Sequence, residues 1–203
     1  FGNFNYTIMD EFKANSFGAD TIPAFVNYVE GIYVGYKFYE TAAAEGLIDY
    51  DKTVVYPFGR GLSYTTFTQT LNSVTEADGT ITVDVTVTNT GSASGKEVVE
   101  VYYNPPYTNG GIEKAFANLL DFNKTQELAP GESETISFSI PVENLASYDY
   151  QNNGCYVLEA GDYVISTNAD SHTALDSKTC TVASDIVYNE SNKRESDEVV
   201  ATN

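Results

Sequence analysis

Apolar and polar residues alternate strictly over much of the chain. Ile81, Val83, Val85 and Val87 are separated by Thr82, Asp84, Thr86 and Thr88. A period of two predicts a half-buried antiparallel strand, apolar inward and polar outward. Residues 97–103 predict a second strand with Val99 and Val101 on one face and Val98 on the other, and residues 119–128 a third. Ile136, Phe138 and Ile140 alternate with Ser137 and Ser139 in a fourth. Residues 148–150 and 156–158 flank Gln151-Asn152-Asn153-Gly154, a hairpin signal, and residues 163–166 and 179–183 complete the set. The joints have turn chemistry: Asp78-Gly79 suits a hairpin needing positive φ, and Pro130-Gly131 reverses the chain. Short strands spaced by turns predict an antiparallel β-sandwich over residues 66–184. Val83, Val85, Val87, Val99, Val101, Ile136, Phe138, Ile140, Tyr163 and Ile165 are its expected core.

The pattern differs at both ends. Residues 1–25 lack a period and read as loop or extended chain. Ile32, Tyr36 and Tyr39 recur at helical spacing and predict a short helix over about 34–45, extended by Ala42-Ala43-Ala44 and stopped by Gly46. Residues 1–65 thus form an N-terminal mixed extension, too short for an α/β domain of its own. Its many aromatics suit it to packing on the sandwich or against a partner domain. Residues 185–203 are polar, charged and aperiodic, and read as an exit linker.

Composition narrows the partners. The chain has 203 residues, a net charge of −19, sixteen Tyr, eleven Phe and no Trp. Such an acidic chain repels nucleic-acid phosphates and anionic membranes, so neither is an expected partner. No apolar run is long enough to span a bilayer. The first residue is Phe1, so localisation cannot be read from a leader, and secreted and cytoplasmic settings both stay open. Cys155 and Cys180 read as two buried free thiols, with a disulfide as the other option. No Cys/His spacing suggests zinc, no acidic loop suggests calcium, and no cofactor is expected. Asn5, Asn123 and Asn189 open N-glycosylation sequons that chance can supply in so Asn-, Ser- and Thr-rich a chain.

Few residues invite chemistry. Asp170, Ser171, His172 and Asp176 hold the groups of a catalytic triad, but adjacency in sequence is not triad geometry and no Gly-x-Ser-x-Gly elbow occurs. A loop hydrogen bond is the expected role of His172. Gly59-Arg60-Gly61 lacks the Gly-Lys-Ser/Thr of a phosphate loop. Glu30 and Glu40 are carboxylates beside aromatics, expected to make structural hydrogen bonds. The long loop over residues 105–114, with Tyr107 and the flexible Asn109-Gly110-Gly111, is the best candidate for contacts.

One set of motifs resembles a known family. Tyr56-Pro57-Phe58-Gly59-Arg60-Gly61-Leu62-Ser63-Tyr64 follows Glu30-Gly31-Ile32-Tyr33-Val34-Gly35-Tyr36, and later come Val85-Thr86-Val87-Thr88-Asn89-Thr90-Gly91, Gly95-Lys96-Glu97-Val98-Val99, Leu128-Ala129-Pro130-Gly131-Glu132-Ser133 and Leu158-Glu159-Ala160-Gly161-Asp162-Tyr163. In this order they resemble the fibronectin type III-like domain of family 3 glycoside hydrolases, the β-glucosidase group, together with the end of the preceding α/β sandwich domain. Gly111-Ile112-Glu113-Lys114-Ala115 and the tail from Tyr188 are similar to the subgroup with swapped domain order, in which the barrel comes last. The resemblance implies that residues 1–65 are the remnant of the α/β domain and the junction, residues 66–184 the fibronectin-like sandwich, and residues 185–203 a linker towards a barrel. The partners it implies are the α/β sandwich and barrel of the same enzyme, and a β-glucoside for the whole. Family members hydrolyse β-glucosides with retention, which needs two carboxyls about 5 Å apart. Neither family carboxylate motif occurs here, so no catalytic residue carries over. Tyr107 and Asn109 are the substrate-entrance candidates. A free-standing immunoglobulin-like interaction module and a carbohydrate-binding module are the competing readings; the absence of Trp counts against the second.

Overall fold

The structure, a computed structural model, describes residues 5–8, 24–27 and 31–197. Two units divide the chain, residues 1–34 and residues 35–203. In the first, β1 (Asn5–Ile8) pairs antiparallel with β2 (Ala24–Asn27). Glu30 and the residues after Asp197 lie outside the described residues.

The second unit contains the antiparallel β-rich fold that the alternation predicts. One sheet runs β3-β4-β7, from β3 (Phe67–Ala77), β4 (Thr80–Asn89) and β7 (Ser133–Pro141). A second runs β11-β10-β5-β6, from β5 (Val98–Asn104), β6 (Asn118–Lys124), β10 (Gly161–Asn168) and β11 (Ala174–Val182). A smaller third sheet has β9 (Cys155–Leu158) between β8 (Ser147–Asp149) and β12 (Ile186–Tyr188).

Strand β4 shows how sequence becomes sandwich. Ile81, Val83, Val85 and Val87 are fully buried in the core, opposite Ile140, Phe138, Ile136 and Glu134 of β7. Its other face is a polar ladder. Asp84 accepts from Ser73 at 2.8 Å and Ser137 at 2.5 Å, and the Thr86 hydroxyl lies 2.8 Å from that of Thr135. The expected Asp78-Gly79 turn joins β3 to β4, with φ of 51° and 75°. All ten expected core residues are buried.

Several strands depart from expectation: β11 begins at Ala174 rather than at residue 179, and β3 is a strand that the alternation does not single out. Strand β6 ends at Lys124 because Thr125 turns inward, its hydroxyl accepting from the Glu97 N–H at 2.9 Å. Strand β3 carries a bulge between Leu71 and Ser73, which breaks its alternation. The segment read as an aperiodic linker contains β12, whose three residues are too few to show a period. Beyond it, the Arg194 guanidinium lies 3.5 Å from the Tyr156 ring centroid and pairs with Asp197 at 2.6 Å. Cys155 and Cys180 are buried free thiols.

The two larger sheets differ on their outward faces. That of β4 is solvated. That of β5 is covered, because the chain before β3 lies across it. Tyr102, outward by alternation, is therefore only 1 % exposed. The covering segment contains α1 (Tyr36–Ala44) and the single turn α2 (Tyr50–Thr53).

Candidate functional site

The covering segment is clasped to the sandwich through one buried carboxylate. Helix α1 places Glu40 toward the loop between β10 and β11, where it is 3 % exposed. Oε1 accepts from the Tyr50 hydroxyl at 2.7 Å and the Ser171 hydroxyl at 2.9 Å. Oε2 lies 2.8 Å from His172 Nδ1. Tyr50 also stacks on the His172 ring, centroids 3.6 Å apart. Burial, then the bond to Glu40, pushes the Tyr50 phenol well above its ordinary value. Asp170 shapes the loop by accepting the N–H groups of His172 at 3.0 Å and Thr173 at 2.8 Å.

This geometry disposes of a triad. Ser171 and His172 each point at Glu40, so the histidine does not hold the serine hydroxyl. Asp176 is committed elsewhere, accepting the Leu71 N–H at 2.9 Å. The expected loop hydrogen bond of His172 is present, and its partner is the other singled-out carboxylate, Glu40.

The Pro-Phe-Gly motif makes the second half of the clasp. The Phe58 ring stacks on Tyr36 at 4.8 Å, and Tyr36 meets Tyr102 edge-on at 6.1 Å. The Phe58 carbonyl accepts the Ser171 N–H at 2.8 Å, and the Tyr36 hydroxyl accepts the Leu119 N–H at 2.8 Å. Gly59 has φ of 87°, and a Cβ there would collide with both carboxylate oxygens of Glu100. Only glycine satisfies both the left-handed backbone and that approach. Glu100 accepts from the Tyr102 hydroxyl at 2.9 Å. Burial raises its carboxyl above the usual range, Asp170 and Glu97 add to this, and the Tyr102 bond opposes it. Arg60 sits over the Tyr56 ring at 5.1 Å and grips no phosphate-like cradle.

The loop after β5 is anchored at its base. Lys114 is buried; its ammonium pairs with Glu159 and donates to the Pro106 carbonyl at 2.7 Å. Asn104 Nδ2 donates to the Phe116 carbonyl at 2.6 Å, and the Phe116 N–H donates to Thr41 of α1 at 2.9 Å. Tyr107 and Asn109 stand exposed at the tip. Glu113 is the main cause holding the Tyr107 phenol above its ordinary value. The loop is thus tied to the clasp through Thr41, while its two singled-out residues stay free of it.

Beside the clasp the same segment turns apolar side chains outward. Leu47, Val55, Tyr56, Phe58, Leu62 and Tyr64 are all exposed, Leu62 at 95 %. Among the described residues no group of acidic, His or Cys side chains could hold a metal, and no helix is long and apolar enough to cross a membrane.

Comparison with known proteins finds relatives over much of the chain. A fibronectin type III-like domain matches residues 97–171. Beta-glucosidase A of Butyrivibrio fibrisolvens is 37 % identical over 157 residues, covering 68 % of this chain and 18 % of that protein. A beta-xylosidase of Formosa agariphila is 41 % identical over 127 residues, covering 60 % and 17 %. The solved structure of β-glucosidase 3B from Thermotoga neapolitana in complex with glucose matches with a TM-score of 0.69 at 40 % identity, covering 80 % of this chain and 21 % of that one. The chain spans about a fifth of the length of the relatives it matches. Through its fibronectin type III-like domain the chain belongs to the family 3 glycoside hydrolases, the β-glucosidase group.

Proposed function

We propose that this chain is the noncatalytic, structural portion of a retaining β-glucosidase that hydrolyses terminal β-D-glucosides. Residues 1–65 are the end of an α/β sandwich domain and its junction, residues 66–184 the supporting sandwich, and residues 185–203 the path to a barrel, in the swapped domain order. The partners are the α/β and barrel domains of the same enzyme.

The observation that carries the reading is the pairing of a fixed junction with an uncovered one. The clasp at Glu40 and Gly59 holds residues 36–60 on the sandwich, while Leu47 and Val55 within that segment, and Leu62 and Tyr64 just after it, face outward. Exposed apolar side chains concentrated in one segment of the chain suit an interaction surface. Tyr107 and Asn109, at the tip of a loop tied to the same clasp, reach toward the substrate entrance of the assembled enzyme.

The test is an aryl β-glucoside assay of the purified chain beside the complete parent enzyme. The parent should turn over and the chain should not. Turnover by the chain that vanishes in Glu40→Gln or Glu30→Gln would overturn the reading. Substituting Tyr107→Ala in the parent should change KM more than kcat if the loop borders the entrance.

A further inference from the structure

The sequence contains two Asn-Gly pairs, Asn109-Gly110 and Asn153-Gly154. In such a pair the glycine nitrogen can reach the asparagine side-chain carbonyl carbon, because no Cβ screens the approach. The structure holds the two pairs very differently.

Asp149, buried in the third sheet, immobilises Asn153. Its Oδ2 accepts from Asn153 Nδ2 at 2.7 Å and from the Asn153 N–H at 3.1 Å. The Gly154 N–H, the would-be nucleophile, donates to the Asp149 carbonyl at 2.8 Å. Attacking nitrogen and departing amide are therefore both engaged. At the other pair, Asn109 and Gly110 are exposed. Among the described residues nothing hydrogen-bonds the Asn109 amide or the Gly110 N–H. The turn is closed around them instead, by the Gly111 N–H donating to the Thr108 carbonyl at 2.9 Å. The anchor at Lys114 fixes the base of the loop and leaves this tip in solvent.

We infer that Asn109 is a site of spontaneous deamidation and isoaspartate formation, and that the Asp149 turn protects Asn153 from the same reaction. The Gly110 nitrogen, giving its proton to hydroxide, attacks Asn109 Cγ. A new N–Cγ bond closes a five-membered succinimide, and the Cγ–Nδ2 bond breaks with loss of ammonia. Water then adds to either ring carbonyl and opens it, leaving aspartate or isoaspartate. The net change is amide plus water to carboxylate plus ammonium, with nothing oxidised or reduced. The tip gains a negative charge, and the isoaspartyl form gains an extra backbone carbon two residues from Tyr107. The reaction does not depend on the proposed function.

The experiment incubates the intact chain at mildly alkaline pH, then combines peptide mapping by mass spectrometry with labelling by a protein isoaspartate methyltransferase. The Asn109 peptide should convert at least roughly ten-fold faster than the Asn153 peptide, whose reaction must await opening of the turn. In concentrated urea the two rates should converge. Asn109→Gln should abolish the fast methylated product, and Asp149→Ala should accelerate conversion at Asn153. Equal rates in the native chain would overturn the inference, as would an Asn109 that stays intact natively while both sites react in urea.

Discussion

Glu40 Oε2 and His172 Nδ1 lie 2.8 Å apart although 132 residues separate them in sequence. The contact closes the chain across the sandwich, and Glu40 also holds Tyr50 and Ser171. Glu40→Leu strands those donors and should cost about 2–4 kcal/mol by urea unfolding. Glu40→Gln keeps an oxygen for Tyr50 and Ser171 and should cost clearly less. Equal losses in the two variants would show that the side chain's volume, not its oxygens, is what matters.

Gly59→Ala should disturb the junction without unfolding the sandwich. The substitution meets positive φ and the Glu100 carboxylate together, for a cost of about 1–3 kcal/mol. Hydrogen exchange should accelerate over residues 36–60 and stay unchanged in β4 and β7. Uniform acceleration would contradict a locally held clasp.

Glu100 gives the fold a defined pH response. Burial raises its carboxyl in the folded chain, so the folded state holds this proton more tightly than the unfolded one. Where both states are ionised, the group opposes folding. As pH falls through the raised folded value toward the ordinary one near about 4.3, that opposition disappears. Glu100→Gln should therefore raise the denaturation midpoint at neutral pH, with the advantage shrinking to nothing at about pH 4. An advantage that is constant over this range would rule out titration of Glu100 as its cause.

Val85→Asp tests the register. Val85 is fully buried opposite Ile136, so an unpaired carboxylate there should cost about 3–5 kcal/mol. A change under about 0.5 kcal/mol would place position 85 on the solvent side.

How much of this was legible in the sequence follows from how local each signal is. The Val83-Val85-Val87 alternation, the Asp78-Gly79 turn and the helix around Tyr36 are written within a few neighbouring residues, and they appear in the structure as read. The bulge in β3 and the three-residue β12 escape because each interrupts or shortens a period. The role of Glu40 was legible only as a structural hydrogen bond. Its partners, Ser171 and His172, become neighbours only once α1 crosses the outer face of β5. Tyr102 gives the one local hint of that cover, as an aromatic at an outward position beside the inward Val101. Gly59 stood out only as part of the Pro-Phe-Gly motif; its positive φ and its approach to Glu100 required the fold.

Sedimentation velocity tests most directly the proposal that the junction is a docking surface for the rest of a β-glucosidase. The chain is mixed with the separately produced remainder of the parent enzyme, as wild type and as the Leu62→Asp, Tyr64→Asp variant. Both residues are exposed, so the variant should keep its circular dichroism spectrum. Saturable one-to-one association by the wild type, lost in the variant, is the predicted result. No association, or association that the two charges leave untouched, would contradict it.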